Sequence, residues 1–584
     1  MNSNFNKFPV IRIPNHQCIT GWENICREII KNKPTTIAIE CYPGVFIKEI
    51  MTAVQELLNP GMIIDTSEAM KPEDDLAAMV QKYVTDDPVF GYITPLELED
   101  YFDSSKVPEL QQKIDTVKNC TVVIGPGATL LAPQSDLSIY ADMPRWEIQM
   151  RFRNNTACNL GRANYADAFS YQYKHSYFVD WRVCDRYKKR MLNTCHFVWD
   201  TTIPHQPKMI STDALFDALQ LTVQQPFRVV PFFDPGPWGG QWLKEVCDLD
   251  RNAPNFAWGF DCVPEENSLL LEFGDQVVEI PSINLVFFQP DALLGKEVYE
   301  GFGDEFPIRF DFLDTMEGGN LSLQVHPLKE YIKEKFGMSY TQDESYYMLD
   351  TGDDAFVYLG LKENTDPDQM MKALSEAQNN DLPFDAEQYV QKWPVHKHDH
   401  VSIPAGTVHC SGANSVVLEI SATPYIFTFK LWDWGRMGLD GKPRPISLGH
   451  GKNVIQWDRT ASWTQQHILN LTEPIAEGEG WREEHTGLDA WSFIETRRHW
   501  FSQKVRHHTE DVVNVLNLVE GREVIIESPD NSFEPYIVHY AETFIVPAHV
   551  GAYTITQHGE SEGKECVTIK ASVRTEMIAS KVLK

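Results

Sequence analysis

No two cysteines in this sequence are separated by just two residues, so neither a zinc ribbon built from C-x-x-C arms nor a C-x-x-C dithiol redox centre can be made from it. The eleven cysteines are scattered singly and their number is odd, a pattern of reduced thiols that points to a cytoplasmic protein. Positive charge is scarce: 51 Lys and Arg face 83 Asp and Glu, a formal net charge of −32. Such a field repels phosphate backbones and anionic lipid alike, which argues against nucleic acid and membrane surfaces as partners. An anionic small molecule could be held only where cations are gathered locally. Apolar runs are short, and none approaches the roughly 18 residues needed to cross a bilayer. The opening stretch, "MNSNFNKFPVIRIPNHQ", has no continuous apolar segment of the kind a secretory signal carries.

What is present is ordinary globular material, 42% hydrophobic and 11% aromatic over 584 residues, too long for a single core. Residues 1–220 alternate strand-like and helix-like stretches: "PTTIAIECYPGVF" runs into a turn, "IKEIMTAVQELL" has helical spacing, and "NCTVVIGPGATLL" reads as a buried strand ending in Gly-Pro-Gly. This alternation predicts an α/β domain with a parallel sheet. The strand, turn and helix over Ile37–Leu58 are the setting of a phosphate-binding loop. "ECYPGVFIKE" keeps only the Pro43-Gly44 turn of that motif, with Glu40 where the first glycine belongs and no Gly-Lys-Ser/Thr after it. Farther on, "LSIYADMPRWEIQMRFRNN" and "YFVDWRVCDRYKKRML" carry Arg145, Arg151, Arg153, Arg182 and Arg186. Together these features resemble the uridine kinase branch of the P-loop kinases. The resemblance implies a P-loop kinase-like α/β fold without kinase activity, since phosphoryl transfer depends on cradling the phosphates.

From residue 226 the texture changes to short β-rich runs punctuated by Gly, Pro, Asn and Asp, among them "NSLLLEFGDQVVEI", "EFPIRFDFLD", "NLSLQVHP", "HVSIPAGTVHCSG" and "SVVLEISA". Residues 226–452 are expected to form a β-barrel or jelly roll, with "DPDQMMKALSEAQNNDLPFDAEQYVQKW" as a helical insertion. Residues 453–584 repeat the β style. Superposing "HYAETFIVPAHVGAYTI" on "HVSIPAGTVHCSG" puts Ala552 where His409 lies, so the second barrel is expected to lack metal ligands.

Residues i and i+2 of a strand share a face, so Gln324 and His326 of "NLSLQVHPLKE" converge on one side while Leu323 and Val325 fill the other. Glu344 heads "ESYYML", and His409 follows the tight turn of Pro404 and Gly406 in "IPAGTVH". Gathered in one barrel, these N and O donors suit a borderline divalent cation such as Zn2+ with one position left open.

"LSLQVHP", Glu344 eighteen residues after His326, "IPAGTVHCSG", "VVLEI" and "LWDWGRMGLDGKPRP", in that order, are similar to the type I mannose-6-phosphate isomerases of the cupin superfamily. The resemblance implies two cupin domains, one bound Zn2+ held by Gln324, His326, Glu344 and His409, and interconversion of mannose 6-phosphate and fructose 6-phosphate. It places Glu419, Lys430 and Arg436 at the catalytic centre, and Ser322, Arg309, Lys442 and Arg444 near the sugar phosphate. The alternative implied by the departures is a weakened, metal-binding cupin that regulates by binding sugar phosphate. Lys430 stands where the family has Arg, and Gln342 and Asp311 stand where it has Lys. "HKHDH" at 396–400 is expected to be a solvated turn and "RHH" at 506–508 to lie on the surface. The oligomeric state is left open.

Overall fold

The computed structural model describes residues 3–579 apart from 118, 381–382, 423–424, 426, 440, 442–443 and 490. Two compact units are present, one of Val10–Leu221 with Ser268–Phe288, the other of Met1–Pro9, Thr222–Asn267 and Gln289–Lys584. All eleven cysteines are free. Among the described residues no helix is long and apolar enough to cross a membrane.

The N-terminal unit is the expected α/β structure. Its seven-stranded sheet runs Ile19–Thr20, Lys208–Ser211, Phe197–Asp200, Leu137–Asp142, Thr36–Cys41, Thr121–Gly125, Met62–Asp65. The last five are mutually parallel, and Thr36–Cys41, the first of them in the chain, lies at their centre. "TVVIG" and "LSIYAD" are buried at every position, as strands covered on both faces must be. Helix Ile47–Leu57 turns Ile50, Ala53 and Val54 inward at helical spacing. The candidate loop keeps its turn at Pro43-Gly44 after the strand Thr36–Cys41. Glu40 is buried there and accepts hydrogen bonds from the backbone N–H groups of Gly127 and Thr129, and burial pushes its carboxyl up to about 7. The Glu40 carboxylate thus ties the start of the loop to the segment that follows Thr121–Gly125.

The expected domain of residues 226–452 is interrupted. Ser268–Phe273 and Gln276–Pro281 form a hairpin whose other edge pairs in parallel with Val10–Ile13, so this segment belongs to the N-terminal unit. Leu269, Leu271 and Phe273 alternate inward with Ile11 and Ile13, and a two-stranded ribbon with such a face needs cover from elsewhere.

In the C-terminal unit each β region is a pair of open sheets, and none closes on itself as a continuous barrel among the described strands. The first sheet of the first pair has six strands, ordered His400–Ile403, Glu344–Thr351, Ser415–Ser421, Arg309–Asp314, Trp258–Cys262, Phe232–Asp234. The second sheet of that pair has five, ordered Val390–Pro394, Phe356–Leu361, His409–Ser411, Leu323–Val325, Phe429–Trp432. The insertion is helical at Pro367–Asn380 and Ala386–Tyr389, but its end, "VQKWP", is a strand, because Val390, pairing with Leu361, is drawn into the sheet. The last β region packs Phe501, Leu516, Val524, Phe544 and Ile555 into its own core.

Arg228 ties the two β regions together. Its guanidinium, 1% exposed, meets Asp261 at 3.0 Å and Glu542 at 2.9 Å and donates to the carbonyls of Asn6 and Thr543. Removing one partner of such a cluster strands the remaining charges out of water, so Arg228→Met should cost about 3–5 kcal/mol of stability. Urea unfolding checks this, and an unchanged midpoint would show the cluster to be energetically neutral.

Candidate metal centre and adjoining crevice

The turn that carries His409 is held from two sides. Gly406 has φ +90°, and a Cβ there would come 2.7 Å from Gln456 and 2.9 Å from the Val454 carbonyl, so only glycine makes this turn without a shift. Its N–H donates to the carbonyl of His326, and the N–H of Ala405 donates to the Asp343 carboxylate at 2.8 Å. The segments bearing His326, Glu344 and His409 are therefore stitched together by backbone. Gln324 lies opposite His409 in the sheet register.

The result is a fully buried cluster that bridges the two sheets. His326 Nε2 lies 3.1 Å and His409 Nε2 3.0 Å from the two oxygens of Glu344. Among the described residues this is the one group of three His, Cys, Asp or Glu whose ligand atoms all fall within 4.8 Å of one another. Each imidazole uses Nδ1 on a backbone carbonyl, His326 on Phe427 and His409 on Thr407, both at 2.9 Å. A donating Nδ1–H leaves Nε2 as a lone pair. Two nitrogen lone pairs thus face two carboxylate oxygens, an arrangement that wants a cation between them. Gln324 brings its amide to 3.1 Å from His409 Nε2, and turning that amide over would present its oxygen to the same point. Gln342 donates to Glu344 at 2.8 Å and accepts from the N–H of Phe427, orienting the carboxylate. Burial pushes the Glu344 carboxyl up, but the two imidazoles outweigh it and hold it well below the usual carboxylate range. Burial presses His326 down, but the neighbouring Glu344 outweighs it and its pKa rises, whereas burial dominates at His409, whose pKa falls.

A crevice of about 200 Å3 adjoins the cluster through Gln324, Gln342 and Glu419. Ser322, Arg309, Lys430 and Arg444 also line it. Glu419 lies between Tyr346 and Asp311 in the sheet, and burial beside Glu344 and Asp311 raises its carboxyl well above the ordinary range. Burial and nearby Arg444 bring the Lys430 ammonium down to about 8. Arg309 is not a free cation, because its Nε donates to Asp311 at 2.6 Å. Arg436 departs from expectation. It is absent from the crevice lining and is held by the Asp433 carboxylate at 2.7 Å and the Asn320 carbonyl. Lys442 lies outside the described residues.

Four features escaped the sequence. Trp258 and Phe260 supply an apolar wall to the crevice. Asp433, buried, gathers Ser322, Arg436 and Arg444, and only the neighbouring motif residues hinted at it. The histidines of "HKHDH" divide: His396 is exposed, but His400 is fully buried between Ser345 and Thr486, and burial takes it down to about 3. His507 is likewise buried, stacked on Tyr553 at 5.0 Å, because the strand Val505–His508 alternates Val505 and His507 inward.

Residues 21–224 match a family model described as a domain of unknown function, DUF8485. The chain is 24% identical over 253 residues to Probable mannose-6-phosphate isomerase GmuF of Bacillus subtilis, a match spanning 43% of this chain and 73% of that protein. It is 27% identical over 154 residues to Mannose-6-phosphate isomerase ManA of the same organism, spanning 26% of this chain and less than half, 45%, of the relative. The solved mannose 6-phosphate isomerase of Bacillus subtilis superposes with a TM-score of 0.48 at 17% identity, over 60% of this chain and 99% of that one. Over part of its length the chain is distantly homologous to cupin-type mannose-6-phosphate isomerases.

Proposed function

We propose that the C-terminal unit is a zinc-dependent aldose-ketose isomerase that interconverts mannose 6-phosphate and fructose 6-phosphate. The observation that carries this reading is the pair of imidazole lone pairs aimed at one buried carboxylate beside a crevice containing a lysine and a protonatable glutamate. His326 Nε2 and Glu344 Oε1 are buried without a well-formed hydrogen bond, which is what ligand atoms awaiting a small cation look like. Two imidazoles, a carboxylate and the Gln324 amide are a donor set that fits Zn2+. A zinc ion held there would polarise the carbonyl oxygen of the sugar.

The proton must then move between two adjacent carbons, through an enediol. Lys430 and Glu419 line the same crevice, and their environments push them in opposite directions, the lysine toward its neutral base and the glutamate toward its neutral acid. Lys430 takes the proton and Glu419 donates to the oxygen. Arg444 and Ser322, organised by Asp433, supply the positive end that a phosphate group needs. Because the base form of Lys430 increases as pH rises through about 8, kcat/KM should climb across that value and level off above it. A pH-rate profile flat from 6 to 9 (about one unit either side or more) would remove Lys430 from the role.

The reading is tested by a coupled assay with mannose 6-phosphate on the zinc-loaded chain, with activity expected to vanish on chelation and return with zinc. One observation favours a second reading. Asp311 neutralises Arg309 on the crevice wall, so binding without turnover would leave a sugar-phosphate-binding regulator. No conversion at full zinc content, with mannose 6-phosphate still bound, would support it.

A further inference from the structure

A cavity of about 850 Å3 opens in the N-terminal unit, at the carboxyl ends of the parallel strands Thr36–Cys41, Met62–Asp65 and Thr121–Gly125. Its size is that of a small-molecule site. Its position follows from the strand order: the chain leaves the central strand Thr36–Cys41 toward Met62–Asp65 on one side, while Leu137–Asp142 lies on its other side and leads away to Phe197–Asp200. Connections that diverge in this way leave a crevice beyond the strand ends, where ligands of open α/β sheets bind.

The charge there is opposite in tendency to that of the chain as a whole. Lys48, Lys71, Lys106 and Arg162 line the cavity against Glu49, Asp65 and Glu73, in a sequence whose net charge is −32. The carboxylates are already engaged. Glu73 lies 3.6 Å from Arg162, Glu49 accepts from Trp22 and from the N–H of His205, and Asp65 accepts from the N–H of Ser67. The lysines are not: among the described residues none of Lys48, Lys71 and Lys106 has a carboxylate within ion-pair distance. Lys71 and Lys106 each spend one N–H on a carbonyl, of Asp100 and Met70, which leaves two N–H groups apiece. Thr66, 1% exposed, lines the same space and its hydroxyl has no hydrogen-bond partner. Phe46, Met70 and Tyr165 form an apolar wall.

We propose that this cavity is a second small-molecule site, for an organic phosphate with a ring-sized apolar body. The three lysines, carried on separate segments, surround the phosphate as point charges, and the Phe46, Met70 and Tyr165 wall takes the ring. The site does not depend on the isomerase reading, because none of its residues belongs to the metal centre or its crevice.

The probe is naphthyl phosphate, titrated calorimetrically into the zinc-loaded full chain, with inorganic phosphate as the bare anion. Saturable binding of one equivalent at this cavity, separate from any at the Arg444 crevice, is expected, with inorganic phosphate weaker. Lys48→Ala and Lys71→Ala should each weaken naphthyl phosphate about tenfold, while Arg444→Ala in the other unit leaves it unchanged. Lys48 is exposed and makes no side-chain contact that the fold needs, so its variant decides the matter if Lys71→Ala lowers the melting temperature. Absence of saturable binding overturns the proposal. So does an affinity indifferent to Lys48→Ala, and so does binding lost in Arg444→Ala instead.

Discussion

His409→Ala should release zinc, lowering the affinity about 100-fold or more, while the far-UV spectrum stays unchanged. Even residues that only orient a metal ligand are worth about 10–100-fold, and His409 would contribute a donor atom directly. Its Nε2 is 3.0 Å from Glu344, and its Nδ1 is locked to the Thr407 carbonyl. What remains is His326 with its partner Glu344 and the Gln324 amide, a set one nitrogen donor short. The strand does not depend on the ring, because the turn before it is anchored through Gly406 and Ala405 by backbone N–H groups. Elemental analysis after dialysis reads the result, and one zinc per chain in the variant would remove the metal centre from the protein. His326→Ala should behave in the same way for the same reason.

Lys430→Met should separate activity from stability. With Lys430 as the proton-moving base, its loss lowers turnover about a hundred- to ten-thousand-fold, and zinc content is retained. The fold should gain or be indifferent. The Lys430 ammonium makes no hydrogen bond or ion pair among the described residues, and burial has already brought it down to about 8, so a methionine of similar length removes an uncompensated charge. The expected pair of readings is an equal or higher melting temperature with kcat collapsed and KM for mannose 6-phosphate changed less. A variant that unfolds would show Lys430 to be structural, and one that turns over normally would hand the role to another group.

Gln324, His326 and His409 could be singled out in the sequence, because each sits in a local pattern that sets its direction. Gln324 and His326 are spaced two apart between apolar neighbours, and His409 follows a Pro-Gly turn. The parallel sheet of the first segment was equally legible, since a strand covered on both faces must be apolar throughout. His507 could have been read inward from its alternation with Val505. His400 could not: its neighbours in "HKHDH" are polar, and its burial depends on Ser345 and Thr486, 55 and 86 residues away.

By itself the sequence determined which residues carry donor atoms, the order in which they are met, and the α/β and β character of the segments, since these depend on composition and on periods of two and of about four residues. Tertiary structure alone decided which of those groups are neutralised and which are left without a partner. Asp311 quiets Arg309, Asp433 draws Arg436 out of the crevice, and Ser268–Phe288 joins the N-terminal unit. Pairing and burial are set by residues brought together from far along the chain, and no local pattern contains that information.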